Sequence, residues 1–283
     1  MRVVYTENAR LMNPSQLPKF NQPPVVEVAL SLMFEPLSGF RAAHFGHLWV
    51  RYPDLTITED QPELNVPTEE PAAPAPPPPP RFELMQLPRI RAWFRTENGT
   101  QLLQIQHNRL VYNWRKGDTS EPYPSYEVVR HRFDEVVEKF KAFLKDENLG
   151  TIRPMQCEVT YVNHIVGEHG WPHSKVAEVT RLWTEPSTGG FLPPVEDVRF
   201  LARFVIPDAS GGFLGRFSVD LQPAYLVSSG LQVLALTLVA RGKPLSNELP
   251  GAGRFLDIGH EWIVRGFTEI TTPEMHKKWG RTL

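Results

Sequence analysis

Two glutamates share a local setting. Glu27 lies in Val25-Val26-Glu27-Val28-Ala29-Leu30, and Glu158 lies in Gln156-Cys157-Glu158-Val159-Thr160-Tyr161. Met at a pseudo-two-fold axis, two such carboxylates could divide into a general acid and a general base, because neighbouring like charges push their proton affinities apart. Their separation in space is not fixed by the sequence. A second group is rich in arginine. Arg89, Arg91, Trp93 and Arg95 alternate with Ile90, Ala92 and Phe94, and Arg199 and Arg203 alternate with Phe200, Ala202 and Phe204. Arg216, Ser218 and Asp220 alternate with Phe217, Val219 and Leu221. Period-2 alternation puts each polar set on one face of a strand. With Glu27, Glu158, Thr160 and His164 on the same side, one sheet face would carry arginines, carboxylates, a histidine and a tryptophan. Planar guanidinium groups clamp carboxylates and phosphates in pairs of hydrogen bonds, so such a face suits an anionic or peptide ligand. A solvated face laced by cross-strand ion pairs accounts for the same residues. The candidate binding set is Glu27, Arg91, Trp93, Arg95, Glu158, His164, Arg199 and Arg203. By the same count Leu201, Val205, Leu234, Leu236 and Leu238 fall on this face, which predicts that part of it is covered.

Other chemistry finds weaker footing. Cys157 starts a strand with its apolar side inward, and a buried thiol without a base is inert. His44 and His47 are three apart on a short helix but lack a third ligand, and His164, His169 and His173 leave a strand across a glycine turn, so no metal is expected. His260-Glu261 begins like a zinc-protease helix, but Val264 stands where the second histidine belongs. Gly211-Gly212-Phe213-Leu214-Gly215 lacks the lysine of a phosphate loop and reads as a hairpin turn. No cofactor is implied, and the sequence leans away from an enzyme without deciding the matter.

The elements that must position these residues follow from periodicity. Val25 to Phe34 is an amphipathic strand, Phe40 to Val50 a short helix with Phe40, Ala43, His44, His47 and Leu48 at helical spacing, and Leu55 to Thr58 a weak strand. Ile90 to Arg95, Gln101 to Gln106 and Arg109 to Arg115 are strands joined by Asn98-Gly99 and His107-Asn108 turns. Tyr126, Val129, Phe133, Val136, Phe140 and Phe143 mark a long amphipathic helix that Ser125 can cap and Asn148-Leu149-Gly150 ends. The order then repeats: a strand from Cys157 to Ile165, a helix from Ser174 to Trp183, strands at Val198–Ile206, Arg216–Leu221 and Leu231–Val239, and a helix carrying Phe255, Ile258, Trp262, Gly266 and Ile270. This predicts an α+β chain of two β-α-β(3–4)-α units, 1–150 and 151–283, forming one composite domain. One curved antiparallel sheet would carry both long helices on one face, as in TATA-binding-protein-like folds; a helix-grip cup is the alternative.

The 283 residues carry a formal net charge of −2, which excludes a general nucleic-acid coat and a polybasic membrane binder. One cysteine excludes an internal disulfide framework and cysteine-rich zinc modules, and points to a reducing cytoplasm. No run of 18 apolar residues suggests a membrane span. Proline is about twice as common as usual, with 28 residues. The stretch 67–80 reads as a Pro-rich insertion, whose Pro71 to Pro80 part favours polyproline II and a solvated spacer over a docking peptide. Basic-aromatic stretches occur at Arg109 to Lys116 and at His276 to Arg281. In the first, aromatic and charged side chains alternate, which suits a packed hairpin better than nucleic acid, and in the second Trp279 is expected to anchor the chain end.

Several stretches resemble a family of sporadically distributed, uncharacterised bacterial proteins that open with a Pro-x-Val-Glu-Val strand. They are Pro23 to Val28, Gln104 to Arg115, Tyr123 to Tyr126, Cys157 to Ile165 and Thr271 to Gly280. The resemblance implies a bacterial origin and one full-length domain, and it brings no catalytic residues. Sporadic families of this kind are often accessory components of defence or toxin–antitoxin systems, which is an association and not a physical inference. The expectation is a non-enzymatic cytoplasmic binding protein that engages a protein partner, or a second copy of itself, through the polar sheet face. A small-ligand receptor or enzyme with Glu27, Glu158 and the arginines lining a cavity between sheet and helices is the first alternative, with a small anionic ligand as its occupant. Nucleic-acid binding on the same face is the second.

Overall fold

The computed structural model describes residues 17–71, 90–117, 122–167, 171–186 and 190–283. Arg89, His169 and the run Pro76 to Pro80 lie outside them. Among the described residues the chain is α+β, with one nine-stranded antiparallel sheet and four helices. In chain order these are β1 (Val25–Phe34), α1 (Ala42–Trp49), β2 (Ile57–Pro62), β3 (Ile90–Arg95), β4 (Gln101–Gln106), β5 (Arg109–Arg115), α2 (Tyr126–Asp146), β6 (Pro154–Ile165), β7 (Phe200–Pro207), β8 (Phe213–Tyr225), β9 (Gln232–Gly242), α3 (Leu249–Ile270) and α4 (Pro273–Lys278). The strand order is β2-β3-β4-β5-β1-β6-β9-β8-β7. No helix among the described residues is long and apolar enough to cross a membrane.

The bounds of β3, β4 and β5 coincide with the expected ones, because short alternating strands closed by tight turns are specified locally. Gly99 takes φ 70, the left-handed geometry of such a turn, while the Asn98 carboxamide oxygen accepts from the Thr100 amide at 3.1 Å. The apolar faces of the strands pack on α2 and α3. Leu30, Leu32, Leu103, Ile105, Val159 and Leu236 are completely or almost completely buried there, with Phe133, Phe140 and Phe143 of α2 and Phe255 and Ile263 of α3 against them. Helix α3 sits close to the sheet because glycines face it. A Cβ at Gly266 would lie 2.5 Å from the Phe217 ring, and one at Gly259 would lie 3.0 Å from Val159.

Six expectations are corrected. Leu234, Leu236 and Leu238 belong to the core: opposite Pro223, Leu221 and Val219 of β8, they share the helix-facing side, and only Leu201 and Val205 stay on the polar face, at 53% and 51% exposure. Residues 174–183 form turns and no helix, because the segment is tied to the end of α3. Thr180 bridges Thr271, its hydroxyl donates to the Ile270 carbonyl at 2.8 Å, and Val176 and Val179 insert into the core. Helix α1 is shorter than expected and buries Phe45 and Leu48, while His47 points outward. Strand β2 begins at Ile57, where it pairs with Arg95, since Leu55 turns into the core. Ser125 sits at φ 103, and its side chain makes no cap hydrogen bond to α2. Helix α4 is an additional element, capped by the Thr272 hydroxyl, which accepts from the Met275 amide at 3.4 Å. Trp279 after it stacks on Phe267 with centroids 5.0 Å apart, and Phe20 meets the same ring edge-on at 5.3 Å. Main-chain bonds from Asn21, Gln22 and Thr282 tie residues 19–22 to this tail.

Candidate functional site

Register assembles the polar face. β1 brings Glu27, Ser31 and Met33 opposite Arg115, Val111 and Arg109 of β5, while β4 brings Gln104 opposite Trp93 of β3. Of the candidate residues, Glu27, Arg91, Trp93 and Arg95 therefore share one end of the face. Gln104 is the hub. Its carboxamide oxygen accepts from Arg91 at 2.9 Å and from the Trp93 indole at 3.1 Å, and its nitrogen donates to Asn113 at 2.8 Å. Asn113 in turn donates to Glu27, whose other oxygen lies 3.3 Å from Arg115. The guanidinium groups of Arg91 and Arg115 stand 5.5 and 5.6 Å from the Trp93 ring, within cation–π range. Arg95 is paired with Glu59 at 2.9 Å. The Arg91 Nε is buried and takes no hydrogen-bond partner among the described residues, whereas the Arg115 Nε is the atom that faces Glu27.

Glu158 belongs to a second network. It pairs with Arg241 of β9, and Thr160 donates to it at 3.2 Å. Arg241 also lies 3.4 Å from Glu69, which receives Arg216 at 2.6 Å. Glu69 comes from a strap, residues 63–70, that leaves β2 and crosses the face. Gln106 grips the strap at one end, donating to the Leu64 carbonyl at 3.1 Å and accepting from the Leu64 amide at 3.0 Å. Gln156 does the same farther on, accepting from the Glu69 amide at 2.7 Å and donating to the Pro67 carbonyl at 3.2 Å. Glu63 and His107 are 2.8 Å apart beside the first grip. Arg109 is 3% exposed, and burial lowers its proton affinity. The chain just ahead of the prolines thus covers part of the face at Gln106, Gln156 and Arg216, but not Leu201 and Val205, which stay exposed, so the cover is not the one the apolar residues predicted.

Arg199, Arg203 and His164 are not drawn into either network. Arg199 lies 3.8 Å from Asp220, with its side chain mostly in solvent, and Arg203 is exposed on edge strand β7. His164 is half-buried on the polar face, and burial lowers its pKa. Glu27 and Glu158 do not meet. Glu27 is level with Val162 and Glu158 with Ser31, four residues along the strand, which is about 13 Å. Each carboxylate is held by its own arginine, so the acid–base pairing fails on geometry. These residues also cannot line a cavity between sheet and helices, because they project from the opposite face.

Cys157 is fully buried, and burial pushes its thiol up to about 12. The His44 ring accepts from the Arg41 amide at 2.8 Å, and the His173 Nε2 is 3.0 Å from the Ala224 carbonyl oxygen. Among the described residues no three His, Cys, Asp or Glu side chains are placed to hold a metal ion. Gly211 and Gly212 turn β7 into β8, with the Asp208 carboxylate accepting from the Ser210 and Gly212 amides at 2.8 Å.

Sequence reasoning missed Gln156, Glu69 and Arg241, and it put Gln106 on the polar face, by alternation with Ile105, without counting it in the candidate set. The signal was available for Gln156, which shares the face of Glu158 two residues on in the same strand. Nothing local marked Glu69, since an acidic residue before a proline run looks solvated. No protein-family model matches this chain, and no curated protein is significantly similar to it.

Proposed function

We propose that this is a binding protein whose polar sheet face receives an acidic, extended segment of a protein partner beside its own strap. The strap carries the reading. On this face two glutamines read the main chain of an extended segment while arginines hold its carboxylate. The neighbouring cluster has similar equipment with capacity to spare: Trp93 lies within cation–π range of two guanidinium groups, and the Arg91 Nε takes no hydrogen-bond partner among the described residues. Tryptophan and arginine are the residue types on which interface energy concentrates.

The test is native mass spectrometry of the full chain drawn gently from its own host, beside a R91A/W93A/R115A variant that keeps the wild-type melting transition. A polypeptide held at fixed stoichiometry by the wild type and lost from the variant is expected. A bare wild-type chain, a partner retained by the variant, or loss of nothing but self-association would overturn the reading.

The fold also supports a duplicated build. Outward from the central β1–β6 pair, the order is β1-β5-β4-β3-β2 on one side and β6-β9-β8-β7 on the other. Ala29 pairs with Thr160, and Glu27 and Glu158 lie two residues from that pair in opposite directions. Each glutamate meets an arginine on the next strand out, Arg115 or Arg241. A saddle of two related units, in the manner of TATA-binding-protein-like folds, accounts for these correspondences and for the entry residues the two units share.

A further inference from the structure

On the opposite side of the sheet, a cavity of about 450 Å³ opens between β6, α3, the start of α2 and residues 17–25. Its volume falls in the range of small-molecule sites, roughly 300–1,000 Å³. Leu238, Ile263 and Phe267 supply an apolar wall. Its polar lining comprises Asn21, Ser125 and Asn163, whose side-chain nitrogen donates to the Leu236 carbonyl at 3.0 Å, and a relay of three side chains from three segments. The hydroxyls of Tyr123 and Tyr161 are 2.9 Å apart, and the Tyr161 hydroxyl is 3.0 Å from Nδ1 of His260. The His260 ring is fixed by parallel stacking on Tyr126, centroids 3.9 Å apart, and Tyr126 is anchored by donating to Asp257 at 2.8 Å. A buried polar string of this kind is costly unless its ends are satisfied.

We infer that this cavity is a binding site for a small, uncharged, largely apolar molecule carrying one hydroxyl or carbonyl group, with the Tyr123 end of the relay as its hydrogen-bond partner. The relay suits that group because it reverses. With the imidazole proton on Nδ1, each hydroxyl donates to the next oxygen and Tyr123 ends as a donor. With the proton on Nε2, Tyr161 donates to the ring, Tyr123 donates to Tyr161, and the Tyr123 oxygen is left as an acceptor. The two charged lining residues, Lys19 and Glu127, are exposed and stand at the rim, so the interior offers no counter-ion to a charged ligand. Burial keeps the imidazole neutral and the phenols protonated, in keeping with an uncharged occupant. The polar face and its strap take no part, so this site stands independently of the partner-binding reading.

The experiment is calorimetric titration of the full chain with 4-ethylphenol, with ethylbenzene and benzoate for comparison. The wild type should bind 4-ethylphenol, with ethylbenzene and benzoate weaker. Tyr123→Phe should lose about tenfold for 4-ethylphenol while leaving ethylbenzene unchanged, as expected for one lost hydrogen bond. Val264→Trp, at a partly exposed lining position, should abolish binding of both neutral probes. Absence of 4-ethylphenol binding to the wild type would overturn the assignment. So would binding that survives in a folded Val264→Trp chain, equal losses for both neutral probes in Tyr123→Phe, or a preference for benzoate.

Discussion

His260 shows how one side chain links the core to solution conditions. Burial lowers its imidazole from the usual 6.5 to about 4, partly offset by the nearby Glu127 carboxylate. Between those values the unfolded chain binds a proton that the folded chain refuses. Its contribution is therefore fully present above about pH 6.5 and is lost as the pH falls toward 4, by up to about 3 kcal/mol. His164 and His276 are shifted the same way, chiefly by burial. Urea midpoints measured from pH 7 to pH 4 should fall steadily, and His260→Gln should flatten part of that slope; an unchanged slope would remove His260 as its source. Cys157 provides a second residue-scale check. With its thiol pushed up to about 12 and its side chain fully buried, it should resist iodoacetamide at pH 8 in the folded chain and react in 6 M guanidinium.

At the scale of elements, the strap and helix α3 are held by different physics. The strap is held by the Gln106 and Gln156 grips and the Glu69 pairs. Glu69→Gln removes the carboxylate between Arg216 and Arg241, and Gln156→Ala leaves the Glu69 amide and Pro67 carbonyl to water. The double variant should be cut by a broad protease within 63–70 several times faster than wild type, while the melting temperature changes little. Equal cutting would show that other contacts hold the strap. Helix α3 depends on close packing. Gly266→Ala forces a methyl against the Phe217 ring, at a cost of about 1–3 kcal/mol that outweighs the roughly 1 kcal/mol gain in helix propensity. A lowered urea midpoint is expected, and Phe217→Leu in the same chain should recover part of it.

Over the whole molecule, residues from both halves enter one buried cluster, from Val28 and Phe140 to Leu236 and Phe267. Unfolding should thus be a single cooperative transition by both near- and far-ultraviolet circular dichroism. The first and last described segments close this core, since Phe20, Phe267 and Trp279 pack together and main-chain bonds join 19–22 to residues 279–282. Trp279→Ala should lower global stability by about 3–5 kcal/mol, and a variant that frayed only the tail would show the closure to be local.

Periodicity by itself determined the strands from Ile90 to Arg115, the buried stripe of α2 and the polar alternation on the sheet, because each depends on neighbours within a few residues. It also put Arg91, Trp93 and Arg95 on one strand face, but grouped them with Glu27 only within a larger set that included Glu158, His164, Arg199 and Arg203; the sheet order brought Glu27 to their end of the face and left the others apart. Tertiary structure decided what depends on register and on distant chain. The β8–β9 register sent Leu236 into the core, and the β1–β6 register set Glu27 and Glu158 about 13 Å apart. Bonds to the end of α3 turned 174–183 away from a helix. The strap rests on Gln106 and Gln156, which lie about 40 and 90 residues beyond it in sequence. The relay joins Tyr123, Tyr161 and His260 from three separate segments, each of which alone reads as an ordinary aromatic or helical position. A hydrogen bond across such distances leaves no period in the sequence, and only the folded chain brings its two ends together.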